Sequence, residues 1–131
     1  MPRPYDQMCP IARTLDLIGD RWTLLIIRDL FLGKKRFQEF LRSSPGLPPK
    51  LLSDRLKKLE KHGLAERMVY SQHPLRAEYR LTDSGRSLAP VLEAMVRWGL
   101  GHCFDGEPGL RAEVAQRIYS RVSPAPGDDP R

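Results

Sequence analysis

The residues able to carry chemistry in this chain are few and unevenly placed. Cys9 stands immediately before Pro10, a residue suited to the first position of a helix, where the positive end of the helix dipole favours a thiolate open to oxidants and electrophiles. A small buried apolar residue would suit the same position, so a plain packing role for Cys9 stands beside the reactive one. Cys103 follows His102 directly, but neighbours on a helix point about 100° apart, which makes the pair a poor start for a metal site. His62 and His73 lie elsewhere, and no C-x-x-C spacing is present, so no metal is expected. The chain has no Ser/His/Asp order, no phosphate-binding glycine loop and no paired carboxylates in an apolar setting, so neither catalysis nor a cofactor is expected. What remains is electrostatic: Lys50, Ser53, Asp54, Lys57 and Lys61 recur so as to share one side of a helix.

Those side chains need a scaffold, and 131 residues, 40% apolar and 29% charged, suffice for one globular core. Lys and Arg number 22 against 16 Asp and Glu, a net charge of +6 that favours a polyanionic partner. No apolar run nears the roughly 20 residues of a membrane span, and Met1 to Gln7 lacks the order of a signal peptide. A cytoplasmic protein without membrane contact is expected. With only Cys9 and Cys103, near opposite ends of the folded part, a disulfide scaffold is not.

The helical spacing of Ile11, Leu15 and Ile18 predicts a first helix from Pro10, closed by Gly19. A second follows, with Asp20 as N-cap and Gly33 as C-cap, apolar on most sides and therefore central. After Lys34, Lys35 and Arg36, a short helix carries Phe37, Phe40 and Leu41 on one face. The stretch SSPGLPP, residues 43–49, is a tight turn. Gly46 admits positive φ, Pro48 is held extended by the proline after it, and Pro49 is preset for a helix that runs to His62. In that helix Leu52, Leu56 and Leu59 share one narrow arc.

Two strands follow, LAERMVYS (64–71) and AEYRLT (77–82), joined by a protruding loop QHPLR (72–76). Thr82 and Asp83 are capping candidates for a last long helix. Leu88, Val91, Leu92, Met95, Val96, Trp98, Gly99 and Cys103 form its apolar stripe, and Pro90 marks a kink or a broken start. The predicted organisation is an arm over residues 1–8, a folded domain over 9–104, and an extension over 105–131 with a short helix at 109–121 before a disordered tail.

Helix, tight turn, helix and hairpin in that order predict an α+β fold, mainly α: a winged helix-turn-helix with terminal dimerisation helices. A helix bolted to the core by leucines projects a rigid outer face, which suits the major groove of double-stranded DNA. Pro49, Lys50 and Ser53 fall in its first turns, where base edges are reached, while Lys57 meets phosphate. Asp54 would be repelled by phosphate, so it either accepts from a cytosine amino group or pairs with Lys50 or Lys57. Arg36 ahead of the turn and Arg76 and His73 in the hairpin loop complete the predicted DNA-binding set.

The run from Cys9 to Tyr70, followed by EYRLTDSGRSLAPVLEAMVRWG from Glu78 to Gly99, resembles the HxlR-type transcriptional regulators, a branch similar to the MarR winged-helix proteins. The resemblance implies a homodimeric bacterial regulator on an inverted-repeat operator, with Pro49 to His62 as recognition helix, the wing near Arg76, and the terminal helices at the dimer interface. It also implies that a cysteine at the position of Cys9 senses electrophiles or oxidants. Pro48 departs from the family, which usually offers a Ser or similar cap there.

The apolar stripe is too wide for one small module to cover, which independently predicts an interface. Joined with the first helix, it gives a seam of Ile11, Leu15, Leu88, Leu92, Met95, Val96, Gly99 and Cys103, of the size that buries upward of about 2,000 Å² in an obligate dimer. Two-fold symmetry would set two recognition helices roughly 34–36 Å apart. A regulator responding to a metal or a small effector, with Trp22 and Trp98 lining a cavity, is one alternative. A winged helix that docks protein is another.

Overall fold

The computed structural model describes residues 8–103 and Ser120. The rest of the predicted arm, Phe104, and the extension with its helix at 109–121 otherwise lie outside the described residues. Helices α1 (Pro10–Ile18), α2 (Thr23–Phe31), α3 (Phe37–Ser43) and α4 (Pro49–Lys61) come first. Strands β1 (Ala65–Gln72) and β2 (Leu75–Leu81) follow, then the short α5 (Asp83–Arg86) and α6 (Ala89–His102).

Local chemistry accounts for the boundaries. Pro10 opens α1, and the Cys9 carbonyl accepts from the Arg13 N–H at 3.0 Å. Asp20 caps α2 as its residue type predicts, but from a distance: its carboxylate accepts from the N–H groups of Trp22 and Thr23, at 3.1 and 3.3 Å, and from the Thr23 hydroxyl. The helix proper therefore begins at Thr23. At α3, the Glu39 carboxylate reaches back to the N–H groups of Lys35 and Arg36 at 3.0 and 2.9 Å. Those two donors hold its carboxyl below the usual range.

The core sits between α2, α3 and α4. Ile26, Ile27, Phe40, Leu52, Leu56 and Leu59 are each no more than 1% exposed. Within it lies one charged side chain, Asp29, whose Oδ1 accepts from Arg28 Nε and Nη2 at 3.1 and 3.0 Å and from the Ser43 hydroxyl at 2.9 Å. A buried carboxylate is tolerated only with such partners, and this one ties the end of α3 to α2 just before the turn.

The predicted last helix is two helices. Pro90 occupies the first turn of α6, where its missing N–H leaves no bond unmade, and α5 stands apart before it. Thr82 caps α5 by accepting from the Gly85 N–H at 3.1 Å. Gly85 has to be glycine because a Cβ there would lie 2.0 Å from the Leu64 carbonyl oxygen, so α5 packs directly on the backbone that leaves α4.

The strands are antiparallel, from Ala65 opposite Leu81 to Gln72 opposite Leu75, with a bulge between Val69 and Ser71. The Tyr79 N–H donates to the Lys35 carbonyl at 2.8 Å, which joins the α2–α3 connector to β2. The five-residue loop read from QHPLR is instead a two-residue turn, His73-Pro74. Backbone pairing continues to the tip, so Leu75 and Arg76 belong to β2 despite their unpatterned sequence.

Candidate nucleic-acid interface

The turn before α4 fixes its direction. Leu47 is buried there, its N–H donates to the Ser44 carbonyl at 3.1 Å, and Gly46 takes φ 95°. Pro48 is the extended N-cap, with no side-chain acceptor, and its carbonyl accepts from the Leu52 N–H at 3.0 Å. The departure at Pro48 thus removes a hydroxyl cap but keeps the first helical bond.

Leu52, Leu56 and Leu59 face inward and Lys50, Asp54, Lys57 and Lys61 outward, as their spacing predicts. Pro49 is exposed and Ser53 half-buried at the edge of that outer face. Lys50 has 89% of its side chain exposed and lies 3.6 Å from Asp54 one turn on. Asp54 therefore has the lysine partner that keeps a carboxylate tolerable on this face.

Two further cations of α4 serve the fold, which their sequence neighbours did not reveal. Arg55 Nε donates to Asp20 Oδ2 at 2.9 Å, and Lys58 Nζ donates to the Asp16 carbonyl at 2.9 Å. Both run to residues at or near the end of α1, 35 and 42 positions away. They orient α4 from its flank while its lysine face stays open.

Arg36, just ahead of α3, is tied to the hairpin. Its Nε donates to Glu78 Oε2 at 3.1 Å and its guanidinium lies 5.2 Å from the Tyr70 ring centre, yet 54% of the side chain remains exposed. Arg76 and His73 are both exposed near the hairpin tip, His73 in the turn and Arg76 in β2.

The predicted seam divides. Leu92 is buried in the core of its own chain, and Leu88 and Val91 pack against that core. Leu92 is thus a core residue of its own chain, and Leu88 is half-buried against that core, because α6 rests its first half on the module. Ile11, Leu15 and Met95 stay exposed and line an apolar groove of about 330 Å³ between α1, α2 and α6. Val96 and Gly99 are half-buried, and Cys103 is exposed. Trp98 is exposed and stacked on His102 with ring centres 4.3 Å apart, whereas Trp22 packs against the core. Cys9 is half-buried at the start of α1. Among the described residues no three His, Cys, Asp or Glu side chains gather as a metal site, and no helix is long and apolar enough to cross a membrane.

A rigid helix after a tight turn, with its cations outward and a two-stranded hairpin beside it, defines a winged helix-turn-helix regulator of transcription. The chain belongs to the HxlR-like helix-turn-helix family, whose model matches residues 17–106. Cys9 and most of α1 precede that span. It is similar to the uncharacterized HTH-type transcriptional regulator sll1512 of Synechocystis sp., 44% identical over 92 residues that cover 70% of this chain and 68% of that one. The solved structure of PA1607, a candidate transcription factor, matches with a TM-score of 0.71 at 42% identity, over 79% of this chain and 72% of that one. The redox regulator HypR in its oxidized form matches at 0.66 and 40% identity, over 72% of this chain and 97% of that one. The family is one of DNA-binding regulators, not enzymes.

Proposed function

We propose that the chain acts as a homodimer on an inverted-repeat operator, reading base edges through Lys50 and Ser53 and gripping phosphates with Lys57, Arg36 and Arg76. The observation that carries this reading is the division of α4: three leucines sealed in the core and, on the opposite side, an almost fully exposed Lys50. His73 at the hairpin tip approaches the neighbouring minor groove together with Arg76. The exposed Ile11, Leu15 and Met95 around one apolar groove supply the face on which a second copy closes, with Val96, Gly99 and Cys103 continuing it along α6.

Cys9 begins the helix that carries Ile11 and Leu15, so a change at its thiol acts directly on that seam. The likeness to HypR, described as a redox regulator, supports an oxidant or electrophile as the signal.

Mobility shifts with fragments of the promoters it occupies test the reading. Lys50→Ala weakens binding by about 1–3 kcal/mol, the worth of one good base contact, and leaves the oligomeric state unchanged. Unaltered affinity means that the docking face is elsewhere. Cys9→Ser keeps DNA binding but no longer responds to diamide or a quinone. Wild-type protein indifferent to both reagents removes the sensing role and leaves the DNA reading in place.

A further inference from the structure

Between the leucine arc of α4 and its outward lysine face runs a third stripe. Leu51, Arg55 and Lys58, spaced four and then three residues apart, fall on one line along the helix, and all are half-buried. That stripe meets the junction of α1 and α2. Lys58 Nζ donates at 2.9 Å to the Asp16 carbonyl in the last turn of α1, where the helix has no N–H of its own left to offer and a cation suits the negative end of its dipole. Arg55 Nε donates at 2.9 Å to Asp20 Oδ2, the same oxygen that accepts from the N–H groups of Trp22 and Thr23 at the start of α2.

Helix α1 buries only its C-terminal end. Ile18 is its one buried residue, and Leu17 packs on the core beside it. Further up, Ile11 and Leu15 are exposed along the apolar groove between α1, α2 and α6. Apolar contact at one end fixes no angle by itself, because it is non-directional. Hydrogen bonds are directional, and the two from α4 set how α1 leaves the module.

We propose that Arg55 and Lys58 are positioning residues that lock α1 to the recognition helix and so set the separation of the two recognition helices in the dimer. The inference rests on the homodimer reading above, in which α1 forms part of the seam and α4 reads the operator. With α1 and α4 fixed to one another, the seam dictates where each α4 lies, and the dimer accepts one spacing of half-sites. Without the lock each α4 keeps its fit to a half-site, but the pair adapts to a spacing that the intact protein rejects. The Arg55 pair is part-exposed on both sides, so its contribution is to direction more than to stability.

The test uses duplexes selected from a random pool by the wild-type protein. Affinity is measured for the selected operator, for its single half-site, and for the operator stretched by one base pair between its halves. That insertion moves one half-site by about 3.4 Å and turns it by roughly 35°. Wild type should bind the selected operator about tenfold tighter than the stretched one. Lys58→Met and Arg55→Met should bind the two within about twofold of each other, and the half-site within about twofold of wild type. Lys58→Arg, which keeps a charged donor, should retain the discrimination. Lys61→Met removes one charge from the outward face, so it should weaken every duplex alike and still discriminate. Lys58→Met and Arg55→Met proteins that discriminate like the wild type overturn the proposal. So does a half-site loss in them as large as the operator loss, or a Lys61→Met protein that also ceases to discriminate. A wild type indifferent to the inserted base pair removes the dimer reading along with the lock, whereas variants that match a discriminating wild type remove the lock alone.

Discussion

Asp20 shows how much one side chain does at the junction of α1, α2 and α4. Burial pushes its carboxyl up, but hydrogen bonds from Thr23, Arg55 and the Trp22 N–H, with the charge of Arg55, outweigh that and hold it below its usual 3.8. A carboxyl depressed in the folded state adds stability above its unfolded value, and that stability is lost as pH falls through the folded one. Asp20→Asn, which keeps a capping oxygen but loses the charge, should therefore lower stability at pH 7 by up to about 1 kcal/mol, limited by solvent around the Arg55 pair. Urea unfolding from pH 7 to pH 3 checks it. The gap between wild type and variant should close below about pH 4, and a gap constant with pH would deny the charge any part. The capping role of Asp20 was legible from its place before an apolar helix. Its bond to Arg55 was not, because the two lie 35 positions apart and only the fold brings α4 beside the α1–α2 connector. The same holds for Arg36 and Glu78, 42 positions apart.

At the scale of elements, α4 is where sequence and structure agree most closely. A proline preset for the first turn, a leucine arc at helical spacing and a glycine beyond its end left little freedom, and the helix runs Pro49–Lys61. Leu56→Ala should cost about 2–5 kcal/mol, since a fully buried side chain leaves a cavity. Lys57→Ala, on the open face, should change stability by less than about 0.5 kcal/mol. Denaturant unfolding of the two variants tests the orientation of the helix, and equal losses would mean that it is rotated. The hairpin tip was less legible because strand pairing there is carried by backbone groups, which leave no periodic mark in Gln72 to Arg76. The split of the last helix was foreshadowed by Pro90 alone. The burial of Leu92 was hidden, since an apolar stripe looks the same whether its own chain or a partner covers it.

For the whole molecule, a net charge of +6 and an outward lysine face frame the account, and the proposed seam decides how many such faces act together. Met95→Glu places a charge in the groove shared by α1 and α6 and should shift sedimentation from dimer to monomer while the fold persists. A monomeric wild type would remove the seam. The most direct test of the central claim, that α4 and the wing dock on duplex DNA through their cations, is the salt dependence of binding to an operator fragment. Log affinity against log salt should fall with a slope of about −0.9 for each phosphate neutralised, and Lys57→Ala and Arg76→Ala should each bring it about one unit nearer zero. A flat response, or a slope that neither substitution alters, would contradict it.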